Sequence, residues 1–193
     1  MFVKVWFNTR FANAEGDLVI TTAPTLETPR LRLRAHRHAD FDNCAAMAAD
    51  PVVMRFLGGK PNTREECWMR MLRHAGFWAL TGMGSWIVET KDGEFIGEIG
   101  FLWLKREIEP SIEGFPEMGW VTTAAAHGKG YASEAVAAAL AWGDANLPHT
   151  RYTCIIDPDN AASLGVARKA GFVEYARGVY KDEPTVFLER VRV

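Results

Sequence analysis

Apolar and basic positions alternate near residue 30: Leu31, Leu33 and Ala35 against Arg32, Arg34 and His36. A period of two predicts a half-buried strand. From Asp40 to Asp50 the period lengthens, with Phe41, Cys44, Ala45, Met47 and Ala48 on or near one stripe, which predicts a helix that Pro51 should end. Thr63-Arg64-Glu65-Glu66 is a capping-box pattern and opens a second helix through Trp68, Met71, Leu72 and His74 towards Trp78, closed by Gly82 and Gly84. Strands follow at Trp86 to Glu89 and Phe95 to Leu104, joined by the turn Lys91-Asp92-Gly93-Glu94. After a charged connector, Lys105 to Pro116, the pattern predicts a strand over Glu117 to Thr123. A helix follows from Tyr131 to Ala145, with Ala132, Ala135, Val136, Ala139, Leu140 and Gly143 on its apolar face. Arg151 to Ile156 reads as a strand, Ala161 to Ala170 as a helix ended by Gly171, and Phe172 to Tyr175 and Thr185 to Val191 as two last strands. Hairpins mixed with crossovers imply an α/β fold: a mixed sheet with helices on both faces rather than a regular doubly wound one.

The length, 193 residues, fits one domain. Residues 1–24 stand apart from the pattern as an N-terminal extension whose apolar start (Phe2, Val3, Val5, Trp6, Phe7) could pair with another strand or a partner subunit; the domain proper is expected over 25–193. Arg10, Glu15 and Asp17 interrupt that start, so no secretory signal is expected, and no apolar run reaches the ~18–20 residues of a membrane span. A formal net charge of −2 argues against a nucleic-acid-binding module. Cys44, Cys67 and Cys154 are odd in number and form no CxxC pair, which argues against a disulfide framework and a zinc site and suits a cytoplasmic setting. No metal is expected.

The chemistry concentrates in Glu117-Met118-Gly119-Trp120-Val121-Thr122-Thr123-Ala124-Ala125-Ala126-His127-Gly128-Lys129-Gly130-Tyr131-Ala132-Ser133. Physically this is a strand, a glycine loop and a helix start. Gly128 and Gly130 allow a sharp turn and close approach of a ligand to the backbone. The unpaired amides of the first helical turn, at the positive end of the helix dipole, then suit phosphate. Lys129 adds charge at the rim and Ser133 a hydroxyl. The loop is not a P-loop, because Lys129 is followed by Gly130, nor a dinucleotide fingerprint, because Ser133 holds the third glycine's place.

A second stretch, Asn160-Ala161-Ala162-Ser163-Leu164-Gly165-Val166-Ala167-Arg168-Lys169-Ala170-Gly171-Phe172, follows a strand. Together the two stretches resemble the GNAT superfamily of acyl-CoA-dependent N-acetyltransferases, and most nearly the branch that includes ribosomal-protein N-terminal acetyltransferases. That family's loop reads Arg or Gln, two residues, Gly, one residue, Gly or Ala; here it is His127-Gly128-Lys129-Gly130-Tyr131-Ala132, with His127 in the first place. The later motif is met by Asn160, Ser163, Val166, Lys169, Gly171 and Phe172, and Thr28-Pro29-Arg30-Leu31-Arg32-Leu33-Arg34 is similar to the branch's first strand. The resemblance implies a single GNAT domain with a splayed sheet. It also implies acetyl transfer from acetyl-CoA to a primary amine, by direct attack in a ternary complex. The acceptor is a protein N-terminus or a small amine. A non-catalytic acyl-CoA sensor and transfer of a longer acyl group remain as alternatives, and a homodimer is one assembly the sequence allows.

By the same resemblance, Glu117 is the candidate base, directly or through water. The backbone N–H of Val121 or Thr122 is the candidate donor to the acyl oxygen. Ser163 is the candidate group at the departing sulfur, because the slot where another branch keeps a tyrosine acid holds Ala167. Thr123, His127, Gly128, Lys129, Gly130, Tyr131, Ala132, Ser133 and Asn160 complete the expected CoA site. Each has a plainer reading: Glu117 as an exposed strand carboxylate, Ser163 and Asn160 as helix-capping groups, His127 as a surface residue. The acidic run Glu107, Glu109, Glu113, Glu117 reads either as an attractor of a cationic amine or as a solvated loop. Most of the seven tryptophans are expected in the core.

Overall fold

The first helix-and-strand elements are set by alternation and capping, as the sequence dictates. In a computed structural model that describes residues 5–6, 10–12, 18–20 and 22–192, the strands are β1 (Val5–Trp6), β2 (Arg10–Ala12), β3 (Leu18–Ile20), β4 (Thr25–Glu27) and β5 (Leu31–Arg34). Helices α1 (Phe41–Ala49), α2 (Pro51–Met54) and α3 (Arg64–Thr81) follow. Next come β6 (Ser85–Thr90), β7 (Phe95–Leu102), β8 (Glu117–Thr122), α4 (Tyr131–Asn146) and β9 (Arg151–Ile156). The chain ends with α5 (Ala161–Lys169), β10 (Val173–Tyr180) and β11 (Glu183–Val191).

The capping box is present: Thr63 Oγ1 accepts from the Glu66 N–H and the Glu66 carboxylate accepts from the Thr63 N–H, while Gly82 closes α3 in the left-handed region at φ 69°. Pro51 behaves differently from expectation. It ends α1 but also opens α2 as its first residue, with the Asp50 carboxylate accepting from the Val52 N–H. Proline's fixed φ and missing N–H suit that position. The closing hairpin is longer than its alternation suggests. β10 is exposed along most of its length, and the turn places Lys181 and Asp182 at φ 54° and 66°, a pair without the usual Asn-Gly signal.

Sheet order is β1-β4-β5-β6-β7-β8-β9-β11-β10, antiparallel throughout except for the parallel pair β8–β9. Helices cover both faces of this single α/β domain. On one face α4 packs Ala135, Val136 and Ala139 onto Leu31, Leu33, Trp86, Ile99, Phe101 and Met118. A Cβ at Gly143 would lie 2.6 Å from the Phe101 ring, so glycine there lets α4 settle close to β7. Trp78, Trp86 and Trp142 meet edge to face with centroids 4.7–5.3 Å apart, the core role expected of them. On the other face α1 and α3 enclose Cys44, Ala45, Ala48, Cys67 and Met71 over Ile87. All three cysteines are buried free thiols, and burial pushes Cys44 up to about 12. No helix among the described residues is long and apolar enough to cross a membrane.

The extension meets the domain earlier than residue 25. β1 pairs with β4, Ala23 is only 6 % exposed within the main core, and the Pro24 carbonyl accepts from the Trp86 indole N–H at 2.8 Å. A chain beginning at Thr22 is expected to keep the melting temperature of the domain core and its CoA affinity. One beginning at Thr25 leaves the Trp86 N–H buried without its acceptor, a cost of about 1–3 kcal/mol, or roughly 2–12 °C of melting temperature. Thermal unfolding of the two shortened chains side by side checks this.

Candidate active site

Strand β8 is the spine of the site. Its single registered pair with β9 is Glu117 with Thr153, reinforced by the Thr153 N–H donating to the Pro116 carbonyl at 3.0 Å. From Met118 onward the two parallel strands diverge. On its other edge β8 stays paired with β7 along its whole length, Leu102 opposite Glu117 through Gly97 opposite Thr122. Because the Thr123 N–H bonds the Ile96 carbonyl, the alternation of an antiparallel ladder places the amides of Val121, Gly119 and Glu117 towards β7. The Met118 amide is taken up by the parallel pair with β9, and those of Trp120 and Thr122 point into the gap. Of the two amides expected to face an acyl oxygen, Thr122 faces the gap and Val121 is engaged in the ladder.

At the end of β8 a 3-10 turn, Ala124–Ala126, leads into the glycine loop. Gly128 and Gly130 adopt φ 74° and 78°, left-handed values that a side chain would strain. The first helical bond of α4 runs from the Glu134 N–H to the Gly130 carbonyl at 3.1 Å, so the amides of Tyr131, Ala132 and Ser133 have no carbonyl one turn back. His127, Lys129 and both glycines are exposed, and Thr123, Tyr131, Ala132 and Ser133 are half-buried.

Two residues outside the motif hold this loop. Arg30 donates from Nη1 to the Lys129 carbonyl at 2.9 Å, from Nε to Glu134 at 2.6 Å, and lies 4.8 Å from the Tyr131 ring centroid. Glu134 also accepts from Thr28 Oγ1 at 2.7 Å and the Arg30 N–H at 3.0 Å. Burial works against the Glu134 charge, yet these hydrogen bonds hold its carboxyl below the ordinary range. The Thr28-Pro29-Arg30 phrase therefore clamps the helix start. Its position before a strand gave no sign of that, although a Thr-x-Arg beside an alternating strand is a signal that a distant acid could answer.

At the root of the gap Glu117 is buried, not exposed. Both its oxygens accept from Arg106, at 2.7 and 2.8 Å, and the Arg106 guanidinium stacks on Tyr180 at 4.8 Å. Burial opposes the Arg106 charge, but Glu117 holds that guanidinium above its ordinary range. The carboxylate expected as a free base is thus one half of a buried ion pair. Across the gap, Trp120 donates its indole N–H to Ser163 Oγ at 3.3 Å, leaving the Ser163 O–H free to donate elsewhere. Asn160 does cap α5, its Oδ1 accepting from the Ser163 N–H at 3.0 Å, while its NH2 keeps two donors for a second partner.

The sequence reading missed Glu98, a lone charge in the apolar strand Phe95–Leu102, which is a recognisable sign in itself. Glu98 is 2 % exposed, bound by Arg70 and by His36 Nε2 at 2.9 Å, with His74 Nε2 at 3.9 Å. The His36 and His74 rings stack at 5.4 Å and 14°. Burial, abetted by Arg70 and Arg34 and opposed by Asp40, pushes His36 down to about 4, and burial drives His74 well below its ordinary value too. Both rings are neutral at neutral pH. Of the acidic run on the connector, Glu113 pairs with Lys105 and Glu117 with Arg106. Among the described residues no cluster of His, Cys, Asp and Glu could hold a metal.

Comparison with known proteins matches residues 30–173 to the acetyltransferase (GNAT) domain. The Bacillus subtilis protein YkkB is 32 % identical over 171 residues, covering 86 % of this chain and 94 % of that one. The acetyltransferase structure from Agrobacterium tumefaciens superposes with a TM-score of 0.76 at 27 % identity, covering 89 % of this chain and 96 % of that chain. At 17 % identity and a TM-score of 0.68 the same fold recurs in spermidine N-acetyltransferase from Vibrio cholerae, solved with CoA and spermine, with 86 % and 97 % covered.

Two outcomes follow from this geometry. Gly130→Val forces a strained φ and puts new methyls within reach of Arg30, so CoA affinity should fall by at least about tenfold; Lys129→Ala removes only an exposed charge and should cost about threefold or less. Calorimetric titration with CoA measures both. The second concerns pH. His36 has a folded value near 4 against an ordinary 6.5, so the unfolded chain binds its proton more readily. Its contribution is complete above pH 6.5 and is lost as pH falls towards 4, to the extent of on the order of 3 kcal/mol. Melting curves of the wild type and His36→Gln should therefore converge with falling pH over that window.

Proposed function

Since the chain belongs to the acetyltransferase (GNAT) family, we propose that it transfers an acetyl group from acetyl-CoA to a primary amine by direct attack within a ternary complex. The observation that carries this reading is the gap between β8 and β9, floored by free strand amides and closed at one end by the first turn of α4. Acetyl-CoA supplies the activated thioester. The residues present fit it: Tyr131, Ala132 and Ser133 amides for the pyrophosphate, with Gly128 and Gly130 clearing the approach, and Asn160 NH2 for an amide of the pantetheine arm.

The chain's own groups then divide the chemistry. The Thr122 N–H, fixed by the ladder beside it, faces the place where the acyl oxygen gathers charge. The Ser163 O–H, oriented because Trp120 holds its oxygen, donates to the sulfur as it departs. Glu117 stands where the amine must arrive. Both its oxygens accept from the Arg106 guanidinium, and it accepts a hydrogen bond from the amine and orients it, while the amine's proton leaves to solvent. Positioning of two bound substrates supplies the larger part of the rate.

Release of CoA thiol from acetyl-CoA against pooled small amines and N-terminal peptides tests the assignment. No release with any amine, despite CoA binding, would overturn it and mark a sensor. With a confirmed acceptor, Ser163→Ala should lower turnover by about 10²-fold, as for a lost general acid. Glu117→Gln should cost less than about tenfold, with a deficit that stays flat from pH 7 to 9; a loss of about 10²–10⁴ that shrinks as pH rises would restore Glu117 as the base.

A further inference from the structure

Glu117 opens β8 at the one point where β8 and β9 are paired, so its backbone is fixed from both sides. The Thr153 N–H donates to the Pro116 carbonyl at 3.0 Å just before it, and Leu102 stands opposite it on β7. What the strands leave open is the plane of its carboxylate. Among the described residues only Arg106 bonds that group, through Nε to one oxygen at 2.7 Å and Nη2 to the other at 2.8 Å. A carboxylate offers about four lone-pair sites. The fork takes one on each oxygen, in the carboxylate's own plane, and leaves one on each.

Arg106 is itself held. Glu117 is bonded to the edge of its guanidinium, and Tyr180 of β10 lies under it with the ring centroid at 4.8 Å. It stands on residues 103–116, a connection between antiparallel neighbours far longer than a hairpin needs. That length carries the chain across to the last strands. The Glu109 carbonyl lies so close to Gly178 of β10 that a Cβ there would sit 2.8 Å from it. Ile112 is 3 % exposed, and the Phe115 ring lies 4.2 Å from the guanidinium of Arg151, the first residue of β9. A buried ion pair adds little net stability over apolar groups of the same shape. At the root of the gap it adds direction. A lysine would supply the same charge, but its ammonium is a point charge and could not set the carboxylate plane.

Resting on the reading that Glu117 receives the acceptor amine, we propose that Arg106 is a positioning residue: its fork turns the free lone pairs of Glu117 towards the amine, and Tyr180 keeps the fork in place. Alignment of the acceptor then depends on the connector and the closing hairpin, whereas the groups proposed for CoA stand on α4, α5 and the glycine loop.

The test compares wild type, Arg106→Lys, Glu117→Gln and the double variant as full chains, by thiol release with an acceptor found among the pooled amines and peptides. Arg106→Lys should lower kcat/KM for the amine by about three- to tenfold, and no further than Glu117→Gln does, with KM for acetyl-CoA unchanged. In the double variant the lysine should add less than about twofold to the Glu117→Gln loss, because it acts through that carboxylate. Tyr180→Leu should show the same kind of loss, and Tyr180→Phe, which keeps the ring, should run at the wild-type rate. Additive losses in the double variant, a wild-type rate in Arg106→Lys or Tyr180→Leu, or a raised KM for acetyl-CoA would overturn the proposal. Crystal structures of wild type and Arg106→Lys decide it apart from turnover. A Glu117 carboxylate rotated out of its wild-type plane, with β8 in place, supports it; an unmoved carboxylate overturns it. If no amine or peptide is acetylated, the transfer reading fails, and those two structures still decide whether Arg106 sets the carboxylate.

Discussion

A parallel strand pair held at a single register point governs this structure. β8 and β9 meet at Glu117 and Thr153 and then part, and a sheet that opens between two parallel strands leaves backbone amides facing empty space. Such amides are tolerated only where something polar can reach them. The gap is therefore both a liability to the fold and the origin of the site. The β7 ladder keeps β8 straight on its far side, and α4 and α5 rise from the two diverging strands to frame the opening. Trp120 and Ser163 span it.

Around that opening the molecule distributes charge in closed pairs. Arg106 with Glu117, Arg70 with Glu98, Arg34 with Asp40 and Glu89, and Arg30 with Glu134 all sit at joints between different elements. Pairs of this kind add little net stability over apolar packing of equal shape, but breaking one leaves a stranded charge. Their effect is on geometry: each fixes a helix or loop at one angle to the sheet.

Much of this was legible in the sequence. Alternation gave β5 and β9, the capping box gave α3, and the glycine loop with the Asn160–Phe172 stretch gave the family. What sequence could not supply were relations between distant residues. Nothing local to Glu117 announces Arg106 eleven residues earlier as its partner, and a strand glutamate reads the same whether paired or free. Arg34 occupied a polar slot in the alternation and proved buried, because Asp40 and Glu89 close over it. The second half of β10, beyond Tyr175, escaped for the opposite reason: its exposed positions carry little periodicity, and its pairing comes from β11. The contact of the Pro24 carbonyl with Trp86 could not be read in advance, because a backbone carbonyl carries no side-chain signature.

The clamp of Thr28 and Arg30 on Glu134 joins positions 104 to 106 residues apart. It therefore has a place in time as well as in space. Closing so long a loop is entropically slow, and such contacts form after local hairpins and helices have condensed. As the chain leaves the ribosome, the Thr28 and Arg30 clamp must wait until α4 has emerged before it can close. The glycine turns at 128 and 130 acquire their final geometry only with that docking. The glycine turn at the head of α4 is thus among the last parts of the molecule to mature, and its finished shape marks a chain whose two halves have already found each other.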